Sequence, residues 1–298
     1  MERKLGIAGL QLKKDFKDQT NNITNFIKIA KKTKSIYPWV DLIFTGELYL
    51  QKYGYPTWKS EAQEIPNEIT DKVSDLAKNL NCWIIPGSFL EREDSSIYNT
   101  LLIFDPNGKI ISKYRKIFPW APFEDTNWGL ECVTFDIPHL GRIGVSICYD
   151  LWFPEVFRTL TWMGAEVIIQ PSLTYTPDRQ AELILSQAQA IMFQCYFLNI
   201  NCLSDQGGGD SIFVDPEGRI LQTGGANENI LLEIIDFDKV TWIREFGSFG
   251  LNQVWKNFRD SKIQGKFPPY FNLQSGEVFK NLSTLRKYNN PNIWDEIK

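Results

Sequence analysis

Short apolar runs alternate with amphipathic stretches along most of the chain. LGIAGLQL near the start is a strand-like run, and residues 18–35 follow with Ile23, Phe26, Ile27 and Ala30 at helical spacing. VDLIFTGE reads as a buried strand. Residues 67–80 place Ile69, Val73, Leu76, Ala77 and Leu80 on one helical face. CWIIPGSFLE predicts one strand and YNTLLIFDPNGKIISKYRK a hairpin. GRIGVSICYD predicts a further strand, FPEVFRTLTWMG a helix opened by Pro154, and AEVIIQPS a strand. Residues 178–194 predict a long helix, CYFLNINC a strand, DSIFVDPEGRILQT a second hairpin, and ILLEIID closes the pattern.

The order strand–helix–strand–helix–strand–hairpin thus occurs twice. Both hairpins turn at Asp-Pro-x-Gly, through Asp105 and Pro106 and through Asp215 and Pro216. Gly108 and Gly218 supply the positive φ such a turn needs. The repeat predicts two similar α/β halves with sheets packed face to face and helices outside. From about residue 262 the periodicity fades, yet Phe267, Tyr270, Phe271, Phe279 and Trp294 remain. Residues 1–261 are therefore expected to form the domain, and 262–298 an extension packed on the body or on a second subunit.

Composition narrows the chemistry. The 298 residues carry 32 basic and 36 acidic side chains, net −4, without a basic stripe for nucleic acid. No segment approaches the length of a membrane span, and the opening apolar run is too short for a secretory signal, so a cytoplasmic protein is expected. Five widely spaced cysteines with no CxxC pair fit reduced thiols rather than disulfides or zinc. The single histidine, His139, excludes metal sites built on several imidazoles and leaves proton transfer mainly to carboxylate, lysine or thiol groups.

Four residues stand out. Cys148 sits where a strand meets the turn YDLWFP before a helix, a position that exposes a nucleophile to backbone N–H groups. A strand-end cysteine is also a common small core residue. Glu47 ends VDLIFTGE, where partial burial would suit a carboxylate to act as acid or base; a solvated strand-end acid is the plainer alternative. Lys116 precedes Ile117, Phe118, Pro119 and Trp120, a lysine against apolar surface or one member of a basic cluster with Lys113 and Arg115. Glu124, in PWAPFEDTNWG, is either a second site carboxylate or a loop acid.

Together these segments resemble the nitrilase superfamily, the carbon–nitrogen hydrolases. TGELYL, KYRKIFPW and GVSICYDLWFPEVFR, followed by GAEVII, carry the resemblance, which runs from about Lys4 to Asp260. It implies an αββα four-layer sandwich of two pseudo-repeated halves and a homodimer or larger assembly through outer helices. It also implies a triad of Glu47 as base, Lys116 as electrostatic partner and Cys148 as nucleophile, with Glu124 positioning substrate as in amidases and formamidases. Gly46-Glu47 departs from the usual Pro-Glu and is expected to alter the entrance. Tyr149-Asp150 differs from the Trp-Glu of true nitrilases and favours amides over nitriles.

The expected reaction is hydrolysis of a small non-peptide amide to acid and ammonia or amine, through a thioester and without cofactor or metal. A nitrilase, an N-carbamoyl hydrolase, an amide-forming transferase and a non-catalytic scaffold are the alternatives. Trp120, Tyr149, Trp152 and Tyr175, with Phe123 and Trp128, are expected around the pocket. A carbamoyl acid would further need a basic group, with Arg158, Arg179 and Arg244 as candidates.

Overall fold

The computed structural model describes residues 2–52, 58–121, 123–262 and 267. The first half runs β1 (Lys4–Gln11), α1 (Gln19–Ile36), β2 (Leu42–Thr45), the short α2 (Trp58–Glu61), α3 (Glu68–Leu80), β3 (Trp83–Ile85), β4 (Ser88–Glu93), β5 (Ser96–Phe104) and β6 (Ile110–Arg115). The second runs β7 (Val133–Ile137), β8 (Gly141–Val145), α4 (Pro154–Trp162), β9 (Val167–Ser172), α5 (Arg179–Phe193), β10 (Tyr196–Asn201), and the two-residue strands β11 (Leu203–Ser204) and β12 (Gly207–Gly208). It closes with β13 (Ile212–Val214), β14 (Ile220–Thr223), β15 (Asn229–Asp236), α6 (Phe237–Phe246) and α7 (Val254–Asp260).

Among the described residues, two large sheets form. One has the order β15-β1-β2-β3-β5-β4 with β6 on the other edge of β5; the second has the order β14-β13-β10-β9-β8-β7. The halves repeat: β1, β2 and β3 run parallel before antiparallel β5, as β8, β9 and β10 run parallel before antiparallel β13. The matching hairpins also share a bonding pattern. In each, the aspartate side chain accepts from two N–H groups, those of Asn107 and Lys109 in one and of Glu217 and Arg219 in the other.

Side-chain alternation builds the layers. Leu5, Ile7, Leu42, Phe44, Trp83 and Ile85 of the first sheet share one core with Val145, Val167, Ile169, Tyr196, Leu198 and Ile200 of the second. Phe44 stacks on Phe213 across this interface, centroids 5.8 Å apart. The opposite faces, Ala8, Leu10, Ile43 and Ile84 on one side and Ile168, Phe197 and Ile212 on the other, pack under α1 with α3 and under α4 with α5. The architecture is the expected αββα sandwich, with period-two strands buried on both faces.

The structure corrects some local expectations. CWIIPGSFLE is two strands, interrupted at Pro86-Gly87, where proline lacks a ladder donor; β3 and β4 still lie on one edge of β5. GRIGVSICYD leaves strand geometry after Val145. β7, α6 and α7 had no sequence expectation. β15 crosses to the first sheet and pairs antiparallel with all of β1, from Lys4↔Asp236 to Gln11↔Asn229, which covers an otherwise open edge. The expected 262–298 extension lies outside the described residues except for Lys262 and Phe267, whose ring stacks 6.3 Å from Phe258.

Gly46 is buried rather than at an entrance. A Cβ there would lie 2.4 Å from Cys202 Sγ and 2.8 Å from Ser172 O. Gly87, at φ +83°, passes so close that its Cβ would be 2.0 Å from Gly46 O. Gly87→Ala should destabilise the fold by about 2 kcal/mol or more, through overpacking added to backbone strain. Gly225→Ala, at φ +62° with nothing within 4 Å of its Cβ, should lose only the conformational part, about 1–2 kcal/mol. Thermal or denaturant unfolding compares them; equal losses would refute the close-contact argument.

Candidate active site

Strand ends of both sheets converge on the site. Glu47 lies two residues beyond β2, and its N–H donates to Ser172 O at the end of β9, 3.1 Å away, which pins the first sheet to the second. Lys116 follows β6 directly, its N–H donating to Asn99 O at 2.8 Å. Cys148 opens a short 3-10 turn, Cys148–Trp152, just beyond β8.

Lys116 is the central charge. It is 1 % exposed, and its Nζ donates to Glu47 Oε1 at 2.8 Å and to Glu124 Oε2 at 2.7 Å. The Asn99 amide donates to Glu47 Oε1 and to Glu124 Oε1, both at 2.8 Å. Glu124 is held further by the Trp120 N–H at 2.9 Å. Burial disfavours the ammonium, but Glu124 and Glu47 outweigh it and hold Lys116 well above the usual lysine range. Burial likewise opposes the Glu124 carboxylate, and Lys116 beside it keeps its pKa below the ordinary value. Each group is thus charged because the other is.

The cysteine turn has its own frame. Cys148 adopts φ +44°, a left-handed conformation uncommon outside glycine. Asp150, fully buried, holds the turn: its carboxylate accepts from Ile147 N–H at 2.8 Å, Phe118 N–H at 2.9 Å and the Tyr114 hydroxyl at 2.7 Å. Burial pushes Asp150 up to about 6, against the pull of those donors. Gln170 Nε2 donates to Cys148 O at 2.9 Å. The thiol is pushed well above its usual range by burial and by the Glu47 charge, with Lys116 pulling the other way. A resting thiol of this kind is neutral and gives up its proton only as it reacts.

One cavity, enclosing about 50 Å³, brings these groups together: Glu47, Lys116, Glu124 and Cys148 all line it. Trp120, Tyr149 and Tyr175 line it too. Trp152 stands outside that wall, 38 % exposed, its ring 6.5 Å from that of Tyr149. Phe123 instead packs on Trp120, and Trp128 meets Phe118 edge-on. His139 occupies the turn between β7 and β8 at φ +65° and is not part of the cavity wall.

Sequence reasoning missed several members. Thr174, Asp178 and Glu182 line the cavity, and Asn99 bridges the two carboxylates. Asn99 carried a faint signal, a lone amide within the apolar strand SIYNTLLIF. Glu182 carried none, because an acid near a helix start reads as solvated. Of the arginine candidates, Arg179 is buried against Glu182, Arg158 lies over the rings of Phe193, Trp255 and Phe258, and Arg244 donates to Gln194 O and Ala165 O. None of the three lines the cavity. Among the described residues no His/Cys/Asp/Glu cluster has the arrangement of a metal site, and no helix is long and apolar enough to cross a membrane.

Comparison with known proteins gives the family. Omega-amidase NIT2 of Mus musculus is 28% identical over 260 residues, 81% of this chain and 91% of that protein. The 2-oxoglutaramate amidase of Paenarthrobacter nicotinovorans is 29% identical over 262 residues, 80% of this chain and 86% of that protein. The crystal structure of Saccharomyces cerevisiae Nit3, a nitrilase-superfamily member, superposes with a TM-score of 0.76 at 27% identity, over 82% of this chain and 94% of that one. A carbon–nitrogen hydrolase from Helicobacter pylori G27 shares the fold, with a TM-score of 0.76 at 21% identity over 91% of this chain and 99% of that one. The family model described as carbon–nitrogen hydrolase matches residues 4–245, so the chain belongs to the carbon–nitrogen hydrolase family, within the nitrilase superfamily.

Proposed function

We propose that the chain hydrolyses a small non-peptide amide, with Cys148 as nucleophile, Glu47 as general base and Lys116 as oxyanion donor. The observation that carries this reading is the Lys116 ammonium held between Glu47 and Glu124 in the wall of the cavity that also holds Cys148. Both hydrogen bonds to Glu47 fall on Oε1, which leaves Oε2 to receive the thiol proton. Sulfur attacks the amide carbon as Glu47 takes its proton. Lys116 has three N–H donors and spends two on carboxylates, which leaves the third for the developing oxyanion. The tetrahedral adduct collapses to a thioester as Glu47 passes its proton to the leaving nitrogen. Glu47 then deprotonates a water that releases the acid. Glu124 keeps Lys116 in place and borders the substrate, supporting the positioning role that the resemblance implies.

The names of the omega-amidase and 2-oxoglutaramate amidase relatives support amide hydrolysis at this general level. The far end of the substrate is read from charge. Among the described residues, Glu47, Glu124, Asp178 and Glu182 line the cavity against one cation, Lys116, already bound to two of them. A carboxylate on the substrate would meet no uncommitted basic side chain there. A short amide without negative charge fits better, with Trp120, Tyr149 and Tyr175 supplying apolar wall. A homodimer and a cytoplasmic setting belong to the same proposal. Exposed Ile184, Ile191 and Met192 on α5 supply apolar surface for an assembly, and all five cysteines are free.

Two measurements check this. Cys148→Ala should lose turnover by at least about a thousandfold while its thermal unfolding stays close to wild type; wild-type ammonia release by that variant would end the scheme. In a panel of amides of matched length, uncharged members should show kcat/KM at least about tenfold above those with a distal carboxylate, from unscreened like charge. The reverse ranking would place an unseen cation at the pocket and refute the charge argument. Ammonia release from nitriles but not amides would refute the amidase reading itself.

A further inference from the structure

A closed ring of hydrogen bonds begins at the Cys148 sulfur and returns to the Cys148 carbonyl. Cys148 Sγ lies 3.5 Å from Thr174 Oγ1, and the Thr174 hydroxyl donates to Glu182 Oε1 at 3.2 Å. Glu182 Oε2 accepts from Arg179 Nη1 at 2.8 Å, and Arg179 Nη2 donates to Asn199 Oδ1 at 2.6 Å. Asn199 Nδ2 donates to Gln170 Oε1 at 3.1 Å, and Gln170 Nε2 donates to Cys148 O at 2.9 Å. Thr174, Glu182, Arg179, Asn199 and Gln170 are all at most 6 % exposed. Thr174 is fixed independently: the Asn201 side chain accepts from its N–H and donates to its C=O, both at 2.7 Å.

The direction of each bond follows from donor count. A hydroxyl has one proton. With that proton on Glu182, Thr174 can only accept at the sulfur, so the resting S–H points at Thr174 Oγ1. Once the sulfur is an anion, the same hydroxyl can turn its proton onto it. Glu182 then loses one partner but keeps Arg179, so no buried carboxylate is stranded.

We propose that Thr174 is a catalytic residue that donates its hydroxyl proton to the Cys148 thiolate during attack, and that Glu182 is the positioning residue that holds this hydroxyl in reserve. The inference rests on the reading of Cys148 as nucleophile and adds to Lys116 a second stabiliser, one in direct contact with the sulfur. No bond to Thr174 forms or breaks. The S–H turns from Thr174 Oγ1 to Glu47 and gives up its proton there, and the Thr174 O–H turns from Glu182 to the sulfur. The other charges that reach the thiol are Glu47, Lys116 and Glu182; of these Glu182 is the one bonded to Thr174, and it keeps Arg179 when that bond is lost.

The test is the pH dependence of Cys148 alkylation by iodoacetamide in the full-length protein, with the modified peptide identified by mass spectrometry. This readout needs no substrate, so it stands apart from the amidase assay. Thr174→Val keeps the volume and removes the hydroxyl; its alkylation midpoint should rise by about one pH unit and kcat should fall roughly tenfold or more, the usual scale for a hydrogen bond to a charge. Thr174→Ser keeps the hydroxyl and should stay within about threefold of wild type in both. Thr174→Ala removes the hydroxyl with less demand on packing and carries the comparison should the valine variant fail to fold. A hydroxyl-free variant with the wild-type midpoint, or a serine variant as impaired as alanine, would overturn the proposal.

Discussion

The site is organised around one ammonium taken out of water. Lys116, 1 % exposed, is held by carboxylates at 2.8 and 2.7 Å. Burying an isolated ion of this size costs several kcal/mol even after relaxation, so its presence requires both partners and good geometry. The requirement is mutual, because Glu47 and Glu124 are also buried and the Asn99 amide bonds to both. Two loops, those that follow β2 and β6, and Asn99 of β5 are therefore locked by one charge. Any displacement of one would leave an unpaired ion within the protein.

That lock defines what the cysteine meets. Its turn is strained at φ +44° and is held by Asp150, itself raised by burial to about 6 and bonded to Ile147, Phe118 and Tyr114. Phe118 and Tyr114 flank Lys116 in sequence, so the lysine segment frames the cysteine as well as charging its surroundings. Burial and the Glu47 charge keep the thiol protonated at rest. Under the proposed mechanism, a neutral thiol in one cavity with Glu47 limits adventitious oxidation and keeps Cys148 for a substrate that fills that cavity.

Much of the fold could be read along the chain because the strands are short, apolar and separated by turn-forming residues. The Asp-Pro-x-Gly hairpins exposed the repeat, since their turn chemistry is local. β7 alternates, with Val133, Phe135 and Ile137 apolar between Thr134 and Asp136, but five residues are a short signal, and among the described residues it pairs with β8 at the sheet edge. β15 reads as a strand, but nothing local says that it leaves its own half to cover β1. The break at Pro86-Gly87 was visible as residues, but the close approach of Gly87 to Gly46, about forty positions away in sequence, was not.

The same division holds at the site. By itself the sequence determined the residue types available, a single histidine with scattered cysteines, carboxylates and a lysine beside apolar positions, together with motifs that matched Glu47, Lys116, Cys148 and Glu124 to a family pattern. Those signals are local and survive in a one-dimensional reading. Only the tertiary structure decided that Asn99 bridges two carboxylates, that Thr174, Glu182 and Arg179 form part of a buried ring that reaches the sulfur, and that Trp152 lies outside the cavity wall. The reason is physical: whether a polar side chain is solvated or is desolvated and bonded depends on which strand ends the two sheets bring together, and that pairing is set by the core between them.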